Sequence, residues 1–146
     1  MYPDDGFREL DRQGCVRLLA KSPVGRMVHT RQALPAILPV NFRLDEDGAV
    51  LPRTAGGSEL VRAVDGVVVA SEADEVDAAT HSGWNVVVTG RAAVVTGPAE
   101  WERLSWAGLR SWAASPREVF VRIEAELVPG RELVGGRTTY GVDLSA

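Results

Sequence analysis

The sequence predicts a mainly β chain: a small closed or split antiparallel barrel of about six strands, with two or three short helices. Three observations lead there. Apolar and charged residues alternate from Glu118 to Val128, and a long β-rich run covers Trp84 to Thr96. Turn residues such as Asp45-Glu46-Asp47-Gly48 separate successive runs, so neighbouring strands pair antiparallel. Closing such a sheet on itself removes its open edges.

The elements follow in order. Asp11 is an N-cap, and Cys15, Leu18 and Leu19 share one face of the helix it opens, which Pro23 and Gly25 stop. Gly25–Arg31 reads as a strand and Pro35–Leu44 as another. Pro39 lacks an amide, which implies an edge or bulge there. Gly48 suits the positive φ of the turn into a third strand, Ala49–Thr54, which hairpins with the second. Ser58 starts a short helix with Leu60, Val61 and Val64 on its inner side. Gly66–Ala73 and Trp84–Thr96 are strands, with Gly90 a bulge or bend. Gly97-Pro98 opens a helix on which Trp101, Leu104, Leu109 and Trp112 form one stripe. Glu118–Val128 is the last strand, and the tail from Arg131 reads as surface.

Composition bounds function. A chain of 146 residues fits one domain, with 45% hydrophobic and 25% charged residues as in ordinary globular proteins. No apolar run approaches the ~18 residues needed to span a bilayer, and the acidic start is unlike a secretory leader. A net charge of −4 argues against general nucleic-acid binding. Cys15 is the single cysteine, which excludes an internal disulfide and a cysteine zinc cluster and fits a reducing cytoplasm. Lys21 is the one lysine among 16 basic residues, so covalent pyridoxal-phosphate chemistry is disfavoured.

The strongest local signal for chemistry is Arg53-Thr54-Ala55-Gly56-Gly57-Ser58. Two glycines let backbone amides approach a ligand, the helix start at Ser58 favours an anion, and Arg53 can hold a phosphate bidentately. On residue types alone the plainer reading of the same segment leads: a glycine turn with a serine cap and a surface arginine. Asn41, within Pro39-Val40-Asn41-Phe42, needs a partner if buried; otherwise it is a strand residue facing solvent. Trp84, after His81-Ser82-Gly83, suits either an aromatic ligand or a core or interface. Asp74, Glu75, Asp77 and His81 read as solvated loop charges rather than a metal site, and no metal is expected. His29 reads as a satisfied core or edge histidine, and Cys15 as a small core residue. No nucleophile elbow is present and no residue stands out as an acid–base catalyst.

Four blocks come in order: Leu18–Arg26 (Leu-Leu-Ala-Lys-Ser-Pro-Val-Gly-Arg), Leu38–Phe42 (Leu-Pro-Val-Asn-Phe), Arg53–Ser58, and Ser82–Ala92 (Ser-Gly-Trp-Asn-Val-Val-Val-Thr-Gly-Arg-Ala). Over about residues 10–133 the chain resembles the pyridoxamine 5′-phosphate oxidase-like family of flavin-binding split barrels, in its small actinobacterial branch, similar to nitroimidazole-resistance proteins. The resemblance implies one domain over 1–146, a six-stranded split barrel, and a homodimer with flavin mononucleotide (FMN) in a groove between subunits. Arg53, Thr54 and Ser58 would hold the phosphate. Pro39, Val40 and Asn41 would line the isoalloxazine, and Trp84 would lie near it or at the interface. Trp112 would reach the partner's flavin. The implied activity is oxidoreduction, with hydride passing from a reduced nicotinamide through flavin to a small organic substrate or oxygen. Two departures stand out. Glu59 follows Ser58 where the family usually has Lys, and Pro52 precedes Arg53 where an ordinary strand residue is expected. An inward Glu59 would repel a phosphate. The alternatives are a non-catalytic binder of flavin, deazaflavin or haem, and a cofactor-free accessory dimer.

Overall fold

The computed structural model describes residues 6–55, 57–106 and 118–135, with positions 55, 58, 105, 106 and 118 described by backbone alone. In chain order the elements are β1 (Phe7–Glu9), α1 (Arg12–Ala20), β2 (Val24–Arg31), β3 (Leu34–Leu44), β4 (Val50–Ala55), α2 (Ser58–Val64), β5 (Val68–Asp77), β6 (Ser82–Val94), α3 (Pro98–Trp106), β7 (Glu118–Ile123) and β8 (Gly130–Leu133). Six strands close in the order β6-β5-β2-β3-β4-β7 and return to β6, every pair antiparallel. This is the expected barrel. Two short strands, β8 and β1, extend it from the N-terminal half of β6.

Strand alternation sorts the core. Met27, Val40, Phe42, Val69, Val86, Val88, Val121 and Ile123 point inward and are buried together, joined by Cys15 and Leu19 of α1 and Val64 of α2. The Asp11 carboxylate accepts from the Gly14 amide at 2.7 Å and caps α1 as expected. A second cluster lies on the outer face under α3: Leu51, Val95, Leu104 and Phe120. Trp101 stands edge-on to Phe120, ring centroids 5.6 Å apart.

Pro39 sits where its missing amide costs no ladder bond. Phe42 donates its N–H to Pro23 on the β2 side. Amide directions alternate along a strand, so position 39 faces the other side, where the β4 pairing has already ended at Asn41↔Arg53.

The last strand is not continuous. β6 pairs with β8 over Gly83–Val86 and with β7 over Ala92–Val94; between them residues 124–129 stay alongside β6 in an irregular, bulged path, with Thr89 and Leu127 exchanging backbone hydrogen bonds at 2.9 and 3.0 Å. A Cβ at Gly90 would lie 1.7 Å from the Glu124 carbonyl oxygen, so Gly90 admits this close approach. The strand expected over Glu118–Val128 therefore stops at Ile123. The tail expected at the surface begins instead as β8, with Arg131 opposite Asn85.

The β3–β4 turn is clamped to its surroundings. Arg122 of β7 donates to Asp45 at 2.7 Å, to Asp47, and to Glu124 at 3.0 Å, while Arg103 of α3 reaches Asp45 at 3.3 Å. Hydrogen bonding from Arg122 leads the effects that lower the Asp45 carboxyl to about 2. No described helix is long and apolar enough to cross a membrane.

Candidate functional site

The site residues on β3 and β4 follow from register. Asn41 stands opposite Val24 of β2 and Arg53 of β4, and Arg53 stands opposite Phe120 of β7. Directly paired residues share a face. This row therefore lies on the outer face, opposite to Val40 and Phe42, whose side chains fill the barrel. Asn41 is only 8% exposed, which rules out the solvent-facing reading. The Arg53 guanidinium carbon is 4.9 Å from the Phe120 ring centroid, so the arginine lies against the apolar cluster under α3.

Thr54 is buried and pairs with Val119. As the next residue along β4, its side chain takes the face opposite to Arg53. Their two side chains cannot grip one ligand from the same face, and Thr54 is left its backbone for that purpose. The same holds for Val40, whose side chain is in the core, whereas Pro39 is exposed opposite Arg26. Ser58 is the first residue of α2, after Gly57.

Glu59 does not turn into the 53–58 loop unpaired. Its carboxylate bonds Nη2 of Arg31, at the end of β2. Arg31 pairs with Leu34 and so takes the face opposite to the Asn41–Arg53 row, seven residues away along β3 (41 minus 34). Arg31 was missed in the sequence because the pair joins positions 28 apart (59 minus 31) with no shared local period. His29 lies two residues earlier on the same face of β2 and is buried, with Nδ1 lacking a hydrogen-bond partner. The expected satisfied histidine is thus buried but not satisfied. Desolvation, with a smaller effect from Arg31, lowers its pKa, so the ring is neutral at pH 7.

Trp84 lies elsewhere, on β6, separated from β3 by β5 and β2. It packs against the core, and its Nε1 donates to Glu75 at 3.4 Å. It helps line a cavity of about 360 Å³ with Phe7, Asp74, Asn85 and Arg131. Trp112 lies outside the described residues. Asp74, Glu75 and Asp77, read from sequence as loop charges, belong to β5, because the β5–β6 ladder runs out to Asp77↔Ser82. Asp74 and Glu72 both accept from Arg26, at 3.2 and 2.9 Å. Among the described residues no group of three or more His, Cys, Asp or Glu gathers as a metal site.

Comparison with known proteins agrees with this fold. A family model described as pyridoxamine 5′-phosphate oxidase matches residues 11–132. An uncharacterized protein of Mycobacterium tuberculosis is 44% identical over 139 residues, covering 90% of this chain and 88% of its own. A conserved protein of unknown function from Corynebacterium diphtheriae superposes with a TM-score of 0.74 at 34% identity, over 89% of this chain and 100% of that one. The FAD binding protein from Mycobacterium smegmatis superposes with a TM-score of 0.65 at 30% identity, over 86% of this chain and 97% of that one. On the match over residues 11–132 and the closed six-stranded barrel, the chain belongs to the pyridoxamine 5′-phosphate oxidase-like family of split barrels.

Proposed function

We propose that the chain binds a flavin nucleotide and acts as a flavin-dependent oxidoreductase, taking hydride equivalents from a reduced nicotinamide to a small organic substrate or oxygen. The observation that carries this reading is the buried Asn41 directly opposite Arg53, at the strand ends leading into the Gly56-Gly57-Ser58 segment. A neutral amide and a guanidinium held side by side suit the polar edge of a heteroaromatic ring and a phosphate. The M. smegmatis FAD binding protein, on the same fold, supports a flavin as the ligand.

Bound flavin supplies the redox chemistry; the chain supplies position and field. Arg53 would pair with the phosphate, with the backbones of Thr54 and Ser58 at its loop. The backbone of Pro39 and Val40 would line the ring, and the Asn41 amide would orient it. FMN is the flavin favoured by the sequence, and FAD is the direct competitor.

The second subunit is part of the proposal. One outer-face row runs Ile37–Val28–Ala70–Thr89–Leu127 across the sheet. Ile37 is 67% and Leu127 63% exposed, leaving an apolar stripe that a second copy would cover. Trp84 would then contribute from the partner's side of a shared groove. On a sizing column the chain is expected to elute at twice 15.7 kDa; elution as a monomer would remove the shared groove.

The activity test is turnover: flavin-loaded protein mixed with NADH or NADPH and oxygen consumes the nicotinamide faster than free flavin does. Tight flavin binding with no rate gain would replace the enzyme by a flavin carrier.

A further inference from the structure

We propose that the outer-face cavity over β5, β6 and β8 binds a flat aromatic carboxylate with an N–H donor at its far end, Arg131 pairing with the carboxylate and Asp74 accepting the N–H. This site goes beyond the flavin reading and does not depend on it. Register builds it. Arg131 of β8 stands opposite Asn85 of β6, and Asn85 opposite Asp74 of β5, so the three form one row. The row takes the outer face, because Val86 and Ala73, each one residue along, are buried in the barrel. The adjacent row on that face, Phe7–Leu133–Gly83–Val76, is apolar. The two rows line a cavity of about 360 Å³, the size of a small-ligand site.

The two ends of the polar row are chemically opposite, and both are open. The Arg131 guanidinium carbon lies 4.4 Å from the Phe7 ring centroid. Glu9 stands directly across β1–β8 from Arg131, yet among the described residues the guanidinium holds no acid and donates no hydrogen bond. Stacking on Phe7 orients the planar fork and leaves its edge free for a carboxylate. At the other end Arg26 bonds Asp74 through Oδ1 at 3.2 Å, which leaves Oδ2 as an acceptor. Glu72 is already engaged, since its two oxygens accept from Arg26 and Asn85. Arg131 and Asp74 stand two strand spacings apart, roughly 10 Å, and form no ion pair with each other. One aromatic ring, with an anion at one end and a donor at the other, spans that interval over Asn85. The apolar row from Phe7 to Val76 lies along its side.

The test titrates the full chain by calorimetry with para-aminobenzoate, benzoate and para-aminobenzamide. The first is expected to bind at about 0.1–1 mM, benzoate about 3- to 10-fold more weakly, and the uncharged amide not measurably. Arg131→Gln is expected to weaken para-aminobenzoate more than about 10-fold, and Arg131→Lys to recover part of the loss. Asp74→Ala is expected to remove the advantage of para-aminobenzoate over benzoate while benzoate itself binds no worse. A wild-type chain that binds neither acid would overturn the proposal. So would an Arg131→Gln chain that binds para-aminobenzoate as tightly as wild type, because the acid then sits elsewhere. An advantage over benzoate that survives Asp74→Ala would remove Asp74 from the site. Saturating FMN is expected to leave these affinities unchanged. Competitive displacement by FMN would return the cavity to the flavin groove and overturn a separate site.

Discussion

Replacing Asp45 by Asn removes the charge at the centre of the clamp between the β3–β4 turn, β7 and α3. Asp45 titrates at about 2 in the fold against an ordinary 3.8, and hydrogen bonding from Arg122 is the largest cause. A depressed carboxylate contributes stability that is present above its unfolded pKa and lost as pH falls through the folded one. The difference of 1.8 units (3.8 minus 2) corresponds to about 2 kcal/mol at 1.36 kcal/mol per unit. The Asp45 and Arg122 side chains are 13% and 20% exposed, so solvent screening takes little of this. Urea unfolding of Asp45→Asn at pH 7 should show a loss of about 2 kcal/mol, or ~4–8 °C in Tm for a chain of this size. By pH 3 the gap to wild type should shrink to about half, because the wild type is then losing the same contribution. A gap that stays constant from pH 7 to pH 3 would refute the electrostatic account and leave only lost packing.

Three further outcomes are expected. Gly90→Ala places a methyl group against the Glu124 carbonyl and should cost more than about 3 kcal/mol, seen as a large fall in Tm or loss of soluble protein. His29 has a lowered folded pKa, so the unfolded chain binds its proton first. Stability is therefore full above about 6.5 and falls as pH drops through the depressed value, and His29→Gln should flatten the slope of stability between pH 7 and 5. Arg53→Ala should weaken FMN binding by about 10- to 100-fold in a fluorescence titration, the loss of a charge-assisted phosphate contact.

Much of the barrel was legible because its signals are local. The run around Val86–Val88, the Gly48 turn and the Asp11 cap each declare themselves within a few residues, and each is observed. Gly90 was readable as an irregularity, but its cause was not: the partner strand breaks there, and the Glu124 carbonyl comes from the far end of the chain. β1 and β8 escaped for the same reason. They are three and four residues long, too short for a period, and exist because Phe7 finds Leu133. The extension of β5 through Asp74, Glu75 and Asp77 was hidden by its charges, which pairing across to β6 and ion pairs to Arg26 accommodate. At the site, Asn41 and Arg53 were both legible as residue types, and their opposition across β3 and β4 follows from the hairpin at Gly48. The opposite facing of Arg53 and Thr54 was available from strand alternation. The commitment of Glu59 to Arg31 was not, since nothing in a sequence tells a carboxylate which distant arginine it will meet.

The most direct test of the flavin reading is the visible absorption spectrum of the purified chain after incubation with FMN, and separately with FAD, followed by desalting. Retained flavin bands, diminished in Arg53→Ala, are the predicted result. A colourless protein that releases both flavins completely would contradict the account and leave a split barrel that serves without a flavin.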